Sequence, residues 1–111
     1  MSNEYLDYVE DILDAMEKAR LLIEGMTYAQ FEADFRTNFA VVRALEIIGE
    51  ATKRLPMELR DRYPNIPWKE MAGMRDRISH GYDDVNLRLV WETVKRRIPI
   101  VRPLIEKILA D

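Results

Sequence analysis

Thr37-Asn38-Phe39-Ala40-Val41-Val42-Arg43-Ala44-Leu45-Glu46-Ile47-Ile48-Gly49-Glu50-Ala51-Thr52-Lys53-Arg54-Leu55 decides the fold class. One apolar stripe at helical spacing is Val41, Ala44, Leu45, Ile48, Ala51 and Leu55; a second is Phe39, Val42 and Ile47. A helix apolar on two sides is either the centre of a bundle or half of a subunit interface. The spacing therefore predicts a long helix from Thr37 or Asn38 to Leu55 with neighbours around it. Gly49 inside it costs about 1 kcal/mol against alanine, which points to a close backbone approach. Glu46 and Glu50, one turn apart, read most simply as solvated or paired charge, though either could orient Arg75.

Toward the N-terminus, Tyr5, Tyr8, Val9, Ile12, Met16, Ala19 and Ile23 fall on one helical face, with Glu10, Asp14, Glu17 and Lys18 opposite. Asp14 and Lys18 stand in the favourable acid-first order. Leu6, Leu13 and Leu22 widen the stripe, so this helix has more than one neighbour, and Gly25 ends it. Thr27 with Gln30 matches a capping box for a short helix carrying Tyr28, Phe31 and Phe35. Asp34 to Asn38 reads as the break before the central helix.

Toward the C-terminus, Pro56 opens a short helix reaching roughly Tyr63, and Pro64-Asn65-Ile66-Pro67 is a connector. The next predicted helix, Trp68 to His80, presents Trp68, Met71, Ala72, Arg75 and Ser79, which puts Arg75 on the flank of the buried side. Met71 and Met74 are core packing. After the loop Asp83-Asp84-Val85-Asn86, Asn86 caps a final helix. Its stripe is Leu87, Val90, Trp91, Val94, Ile98, Val101, Ile105 and Ile108. The stripe runs in phase through Pro99 and Pro103, predicting a single helix kinked near Pro99. No repeats or strand alternation appear, so the chain reads as one all-α domain over residues 1–111.

Composition narrows the chemistry. The 111 residues include 4 Gly and 5 Pro, which favours helices over turns. A net charge of −3 argues against wholesale coating by nucleic acid, although a local basic patch is compatible with it. Without cysteine there is no disulfide, thiolate nucleophile or thiolate metal site. With one histidine, no histidine-rich zinc site forms within one chain, and no metal or cofactor is expected. Met1-Ser2-Asn3-Glu4 lacks a signal-peptide start, and no run approaches the ~18 apolar residues of a membrane span. A cytoplasmic protein without membrane contact is expected.

The chemistry concentrates in Met74-Arg75-Asp76-Arg77-Ile78-Ser79-His80-Gly81-Tyr82. His80 is the only histidine, and histidine is the side chain that ordinarily titrates near neutrality. On an unbroken helix Arg75 and His80 would lie about 140° apart. They converge only if the helix ends near His80, where Gly81 supplies the left-handed conformation that closes a helix. His80 would then sit at the negative end of the helix dipole, beside an arginine fork and a phenol. These groups suit phosphate binding with proton transfer. A lone histidine before a glycine is also an ordinary helix cap, and Arg75 and Arg77 read equally as solvated charge. Arg88, Lys95 and Arg102 recur every seven residues beside Arg96 and Arg97. They are either a solvated face or a strip for an RNA backbone.

Ile66 to Tyr82, with its Arg75, four residues, His80, one residue, Tyr82 spacing, resembles the RX4HXY motif of the HepT-like toxins of the HEPN superfamily. Ile47-Ile48-Gly49-Glu50-Ala51 followed by Lys53-Arg54-Leu55, and Val90-Trp91 leading to Ile98-Pro99, extend the resemblance over roughly residues 5 to 109. It implies a four- or five-helix up-and-down bundle that homodimerises and brings two motif turns into one cleft. It further implies a metal-independent ribonuclease paired with a small nucleotidyltransferase antitoxin, which can transfer AMP to the motif tyrosine, here Tyr82. Asp76 departs from the group, where asparagine is frequent after the arginine. Its carboxylate could hold Arg75 or His80 but would repel an incoming phosphate.

Cleavage through the 2′-hydroxyl needs a base, an acid and cations around the phosphorane. Two copies of His80 would supply base and acid, and two of Arg75 the cations. Arg77 is a further candidate for the cleft, and Ser79 is either a hydrogen-bond donor or a helix position filler. The competing reading is a binding module that recognises a nucleotide or the transferase and is modified at Tyr82.

Overall fold

The computed structural model describes residues 3–111; Met1 and Ser2, part of the start read above as lacking a signal peptide, lie outside the described residues. Helix α1 (Asn3–Ile23) buries Val9, Ile12, Ala15, Met16, Ala19 and Ile23. Asp14 and Lys18 pair at 2.8 Å on its outer side. Gly25, at φ +79°, turns the chain. The capping box forms at the start of α2 (Tyr28–Ala33): Gln30 N–H donates to Thr27 Oγ1 at 3.2 Å, and Thr27 N–H to Gln30 Oε1 at 2.9 Å.

The break before the central helix is shorter than predicted. Asp34 alone separates α2 from α3 (Phe35–Lys53), and it serves both. Its N–H donates to the carbonyls of Gln30 and Phe31, while its carboxylate accepts from Thr37 N–H at 3.3 Å and Thr37 Oγ1 at 2.8 Å. Asn38, read as part of the break, is buried in α3 instead and donates to the Phe31 carbonyl at 3.2 Å. A side chain that satisfies the end of the preceding helix has no need to interrupt its own.

Helix α3 is the centre of the bundle. Its first stripe is buried against α1 on one side and later helices on the other. The second stripe is not covered: Phe39 is 73 % exposed, and Val42 and Ile47 are half-buried. After α4 (Met57–Arg62), the proline connector is fixed by Trp68, whose indole N–H donates to the carbonyls of Arg60 and Tyr63. The helix predicted over Trp68 to His80 is two helices, α5 (Trp68–Ala72) and α6 (Met74–Ile78), hinged at Gly73. The bend at Gly73 makes Trp68, Met71, Met74 and Ile78 the buried set and leaves Arg75 exposed, off the flank where an unbroken helix would place it. The close approach foreseen at Gly49 is to this pair of helices. A Cβ there would lie 3.2 Å from the Met71 carbonyl oxygen and 3.3 Å from Met74 Cβ.

Asn86 caps α7 (Leu87–Glu92) by accepting from Leu89 N–H at 3.0 Å. Helix continues through a π turn at Thr93–Arg97 into α8 (Ile98–Ala110), as one run. Pro99 explains the turn. Its ring has no N–H and crowds the preceding carbonyls, and the wider turn makes room, with Ile98 N–H bonding back to Thr93. Val90, Trp91, Val94, Ile98, Val101, Ile105 and Ile108 are all buried, as their spacing predicts. The result is an all-α bundle of 43 × 29 × 22 Å; among the described residues the one β contact is an isolated bridge, Ser79 to Val85. No helix among them is long and apolar enough to cross a membrane.

Two predictions follow from the packing. Gly49→Val forces two methyl groups against backbone and should destabilise by about 2 kcal/mol, read as a lower urea midpoint at unchanged slope. Glu17 accepts from Arg20 and from Arg102 of α8, and these guanidinium hydrogen bonds hold its carboxyl down at about 2 against an ordinary 4.5. Its contribution is therefore complete above the ordinary value and lost as pH falls from 4.5 toward 2. Glu17→Gln should flatten that part of the acid-unfolding curve, measured by far-ultraviolet circular dichroism.

Candidate functional site

Helix α6 stops at Ile78, earlier than the His80 ending predicted from Gly81, because the chain finds another partner there. Ser79 is extended (φ −144°, ψ 148°) and bridges Val85. Asn86 N–H donates to the Ile78 carbonyl at 2.7 Å, and His80 N–H to the Asp84 carbonyl at 2.8 Å. Residues 80 to 84 thus form a loop closed at its base by backbone bonds. His80 stands at that base, in the loop and not as the cap of a helix end. Gly81 takes φ +97° as its type allows, one step from the apex. Tyr82 projects from the tip at 97 % exposure.

Arg75 remains tied to this loop through its backbone. Its carbonyl accepts from Ser79 N–H at 3.1 Å and from Ser79 Oγ at 3.4 Å. Ser79 therefore spends its hydroxyl on closing the last turn. The Arg75 guanidinium has no carboxylate partner among the described residues. Glu46 and Glu50, the candidates to orient it, face Arg43 at 3.9 and 3.8 Å. Arg75, Asp76, His80 and Tyr82 are all exposed, so the cationic fork, the imidazole and the phenol are open to a ligand.

Arg77 points elsewhere. Two residues beyond Arg75, it lies about 200° round the helix and meets Glu70 of α5 at 3.5 Å. The other oxygen of Glu70 accepts from Arg97 of the π turn at 2.7 Å. Arg77 is thereby separated from the fork. The Glu70 to Arg97 link has no local sequence signal, although the seven-residue interval between Glu70 and Arg77 hints at their pairing.

The candidate strip on the last helix divides. Arg88 and Arg96 share Glu92, at 3.4 and 2.7 Å, and Arg88 also lies 4.5 Å over the ring of Tyr28. Lys95 lies 5.1 Å over Trp91. Arg102 is not on this surface, being committed to Glu17 on α1. The sequence reading also missed a groove beside the loop, lined by Phe39, Val42, Glu46, Tyr82, Val85 and Leu87, with Phe35 exposed and stacked edge-on to Phe39. The second stripe of α3 was its signal. Among the described residues no group of three or more His, Cys, Asp or Glu side chains is placed to hold a metal.

Residues 12–108 match the family described as ribonuclease HepT-like. The chain is 44 % identical to a Thermococcus cleftensis protein named probable ribonuclease HepT, over 97 % of this chain and 98 % of that one. It is 43 % identical to a candidate RNase of Methanocaldococcus jannaschii, over 94 % of this chain and 86 % of the relative. A candidate RNase of Caldanaerobacter subterraneus is 43 % identical over 92 % and 91 %. No solved structure matches.

Proposed function

This chain belongs to the HepT-like ribonuclease family, and from that membership we propose that it is a metal-independent RNA endonuclease acting as a homodimer. The observation that carries the reading is the open turn: Arg75 without a carboxylate partner, and His80 exposed at the base of a pinned loop. One chain has one histidine. Cleavage by the 2′-hydroxyl needs two proton-transfer groups, and a second copy supplies the other.

In the dimer, neutral His80 of one copy takes the 2′-hydroxyl proton as the oxygen attacks phosphorus. The imidazolium of the other copy protonates the departing 5′-oxygen, leaving a 2′,3′-cyclic phosphate and a free 5′-hydroxyl. The two Arg75 forks stabilise the negative charge of the phosphorane. The uncovered aromatic face beside the loop, Phe35 and Phe39, is suited to the dimer contact and would set the two turns side by side. Asp76, exposed on α6, works against phosphate entry and tempers turnover.

The protein is the toxin of a toxin–antitoxin pair in the cytoplasm, and its partner is a small nucleotidyltransferase that transfers AMP to Tyr82. The 97 % exposure of Tyr82 at a loop tip supports this, since the phenol can enter another enzyme's site without unfolding. AMP would add bulk and negative charge at the mouth of the cleft. The same exposure favours a second reading, a non-catalytic module that binds a nucleotide or the transferase.

Purified protein with Tyr82 shown bare by intact mass, incubated with cellular RNA in EDTA, separates the two. Wild type should cut, and His80→Ala and Arg75→Ala should lose at least about a hundredfold in rate. Equal cutting by wild type and His80→Ala would sink the mechanism, and no cutting by a bare dimer would favour the binding module.

A further inference from the structure

The motif turn is poorly charged for holding a polyanion. Asp76, Asp83 and Asp84 stand in or beside it against Arg75 and Arg77, and Arg77 is drawn to Glu70. Affinity for a nucleic-acid backbone has to come from another surface, since phosphate neutralisation dominates such binding. The structure holds one such surface.

Two copies of one arrangement meet at the π turn. Glu92 is shared by Arg88 and Arg96, and Glu70 by Arg77 and Arg97. Each carboxylate aligns two guanidiniums and neutralises only one charge. A guanidinium has five N–H donors, so each retains donors for a further anion. Lys95, over the Trp91 ring, adjoins Arg96, and exposed Lys69 adjoins Glu70. Arg88, Lys95 and Arg96 against Glu92 leave this side of α7 and its π turn at +2 in a chain of net charge −3.

Arg88 stands two residues beyond Asn86, whose N–H donates to the Ile78 carbonyl at the end of α6, so this side of α7 starts beside the motif. We propose that Arg88, Lys95 and Arg96 of α7 and its π turn, two of them aligned by Glu92, form a binding track for the RNA strand beyond the scissile phosphate. The track supplies affinity, and the Arg75/His80 turn supplies chemistry. This rests on the ribonuclease reading for the identity of the polyanion, but binding can be tested without cleavage.

The test uses the full chain and the triple variant Arg88→Gln, Lys95→Gln and Arg96→Gln, which leaves the Glu70 link and the motif intact. Binding of an uncleavable 2′-O-methyl oligoribonucleotide is followed by fluorescence anisotropy across a salt series. The variant should bind on the order of tenfold more weakly, and its log Kd against log salt slope should fall by about 2, three single-strand phosphate contacts being lost. For a long cleavable RNA, KM should rise with kcat unchanged, and cleavage of a dinucleotide should not change. Unaltered affinity and slope would overturn the track. Loss of dinucleotide cleavage would also overturn it, by showing that the cations support the fold of the turn. If wild type binds with the expected slope but cuts nothing, the track stands and the nuclease reading falls.

Discussion

The position of the motif depends on a side chain that is missing. At Gly49 the central helix presents bare backbone, and α5 and α6 lie against it with the Met71 carbonyl 3.2 Å from where a Cβ would stand. Glycine in a helix costs about 1 kcal/mol. Bringing α5 and α6 down onto α3 buries Met71, Met74 and Ile78, each worth roughly 1.5–3 kcal/mol. Everything downstream inherits this seat. The Ile78 carbonyl accepts from Asn86, Asn86 caps α7, and the last helix then returns across α1 through the Glu17 to Arg102 pair. A shift in one packing contact would travel through this series to the loop that holds His80.

Period and composition revealed most of the bundle. The stripes on α1, α3 and the last helix are long, and a long stripe survives local irregularity, which is why the π turn before Pro99 left the buried set unchanged. Short-range competition was not legible. Asp34 ends one helix and starts the next, so the break shrank to a single residue, because the Asn38 amide satisfied a preceding carbonyl that a longer loop would have left to water. Gly81 reads as a helix end in sequence, whereas Gly73 reads as part of one helix. The chain bends at Gly73 and leaves the helix before Gly81, where strand-like pairing between Ser79 and Val85 outcompetes another helical turn.

Arg75, His80 and Tyr82, which spacing alone left open and the family resemblance singled out, fall on one exposed turn and its loop. The seven-residue recurrence of Arg88, Lys95 and Arg102 misled in part. Periodicity along one helix cannot say which charges a neighbouring helix will claim, and α1 claims Arg102 through Glu17. Glu70 and Glu92 divide the cations that remain. Which cations stay beside the motif turn and which are drawn off is a tertiary property, set by the carboxylates of α1, α5 and α7.

The loop at residues 80 to 84 has its closing hydrogen bonds at the base and its most exposed side chain at the tip. Almost nothing that holds the molecule folded passes through Tyr82. A covalent change there is consequently decoupled from the folding equilibrium. Bare and altered chains should therefore melt together. Whatever acts on this tyrosine can work on finished protein and leave finished protein behind.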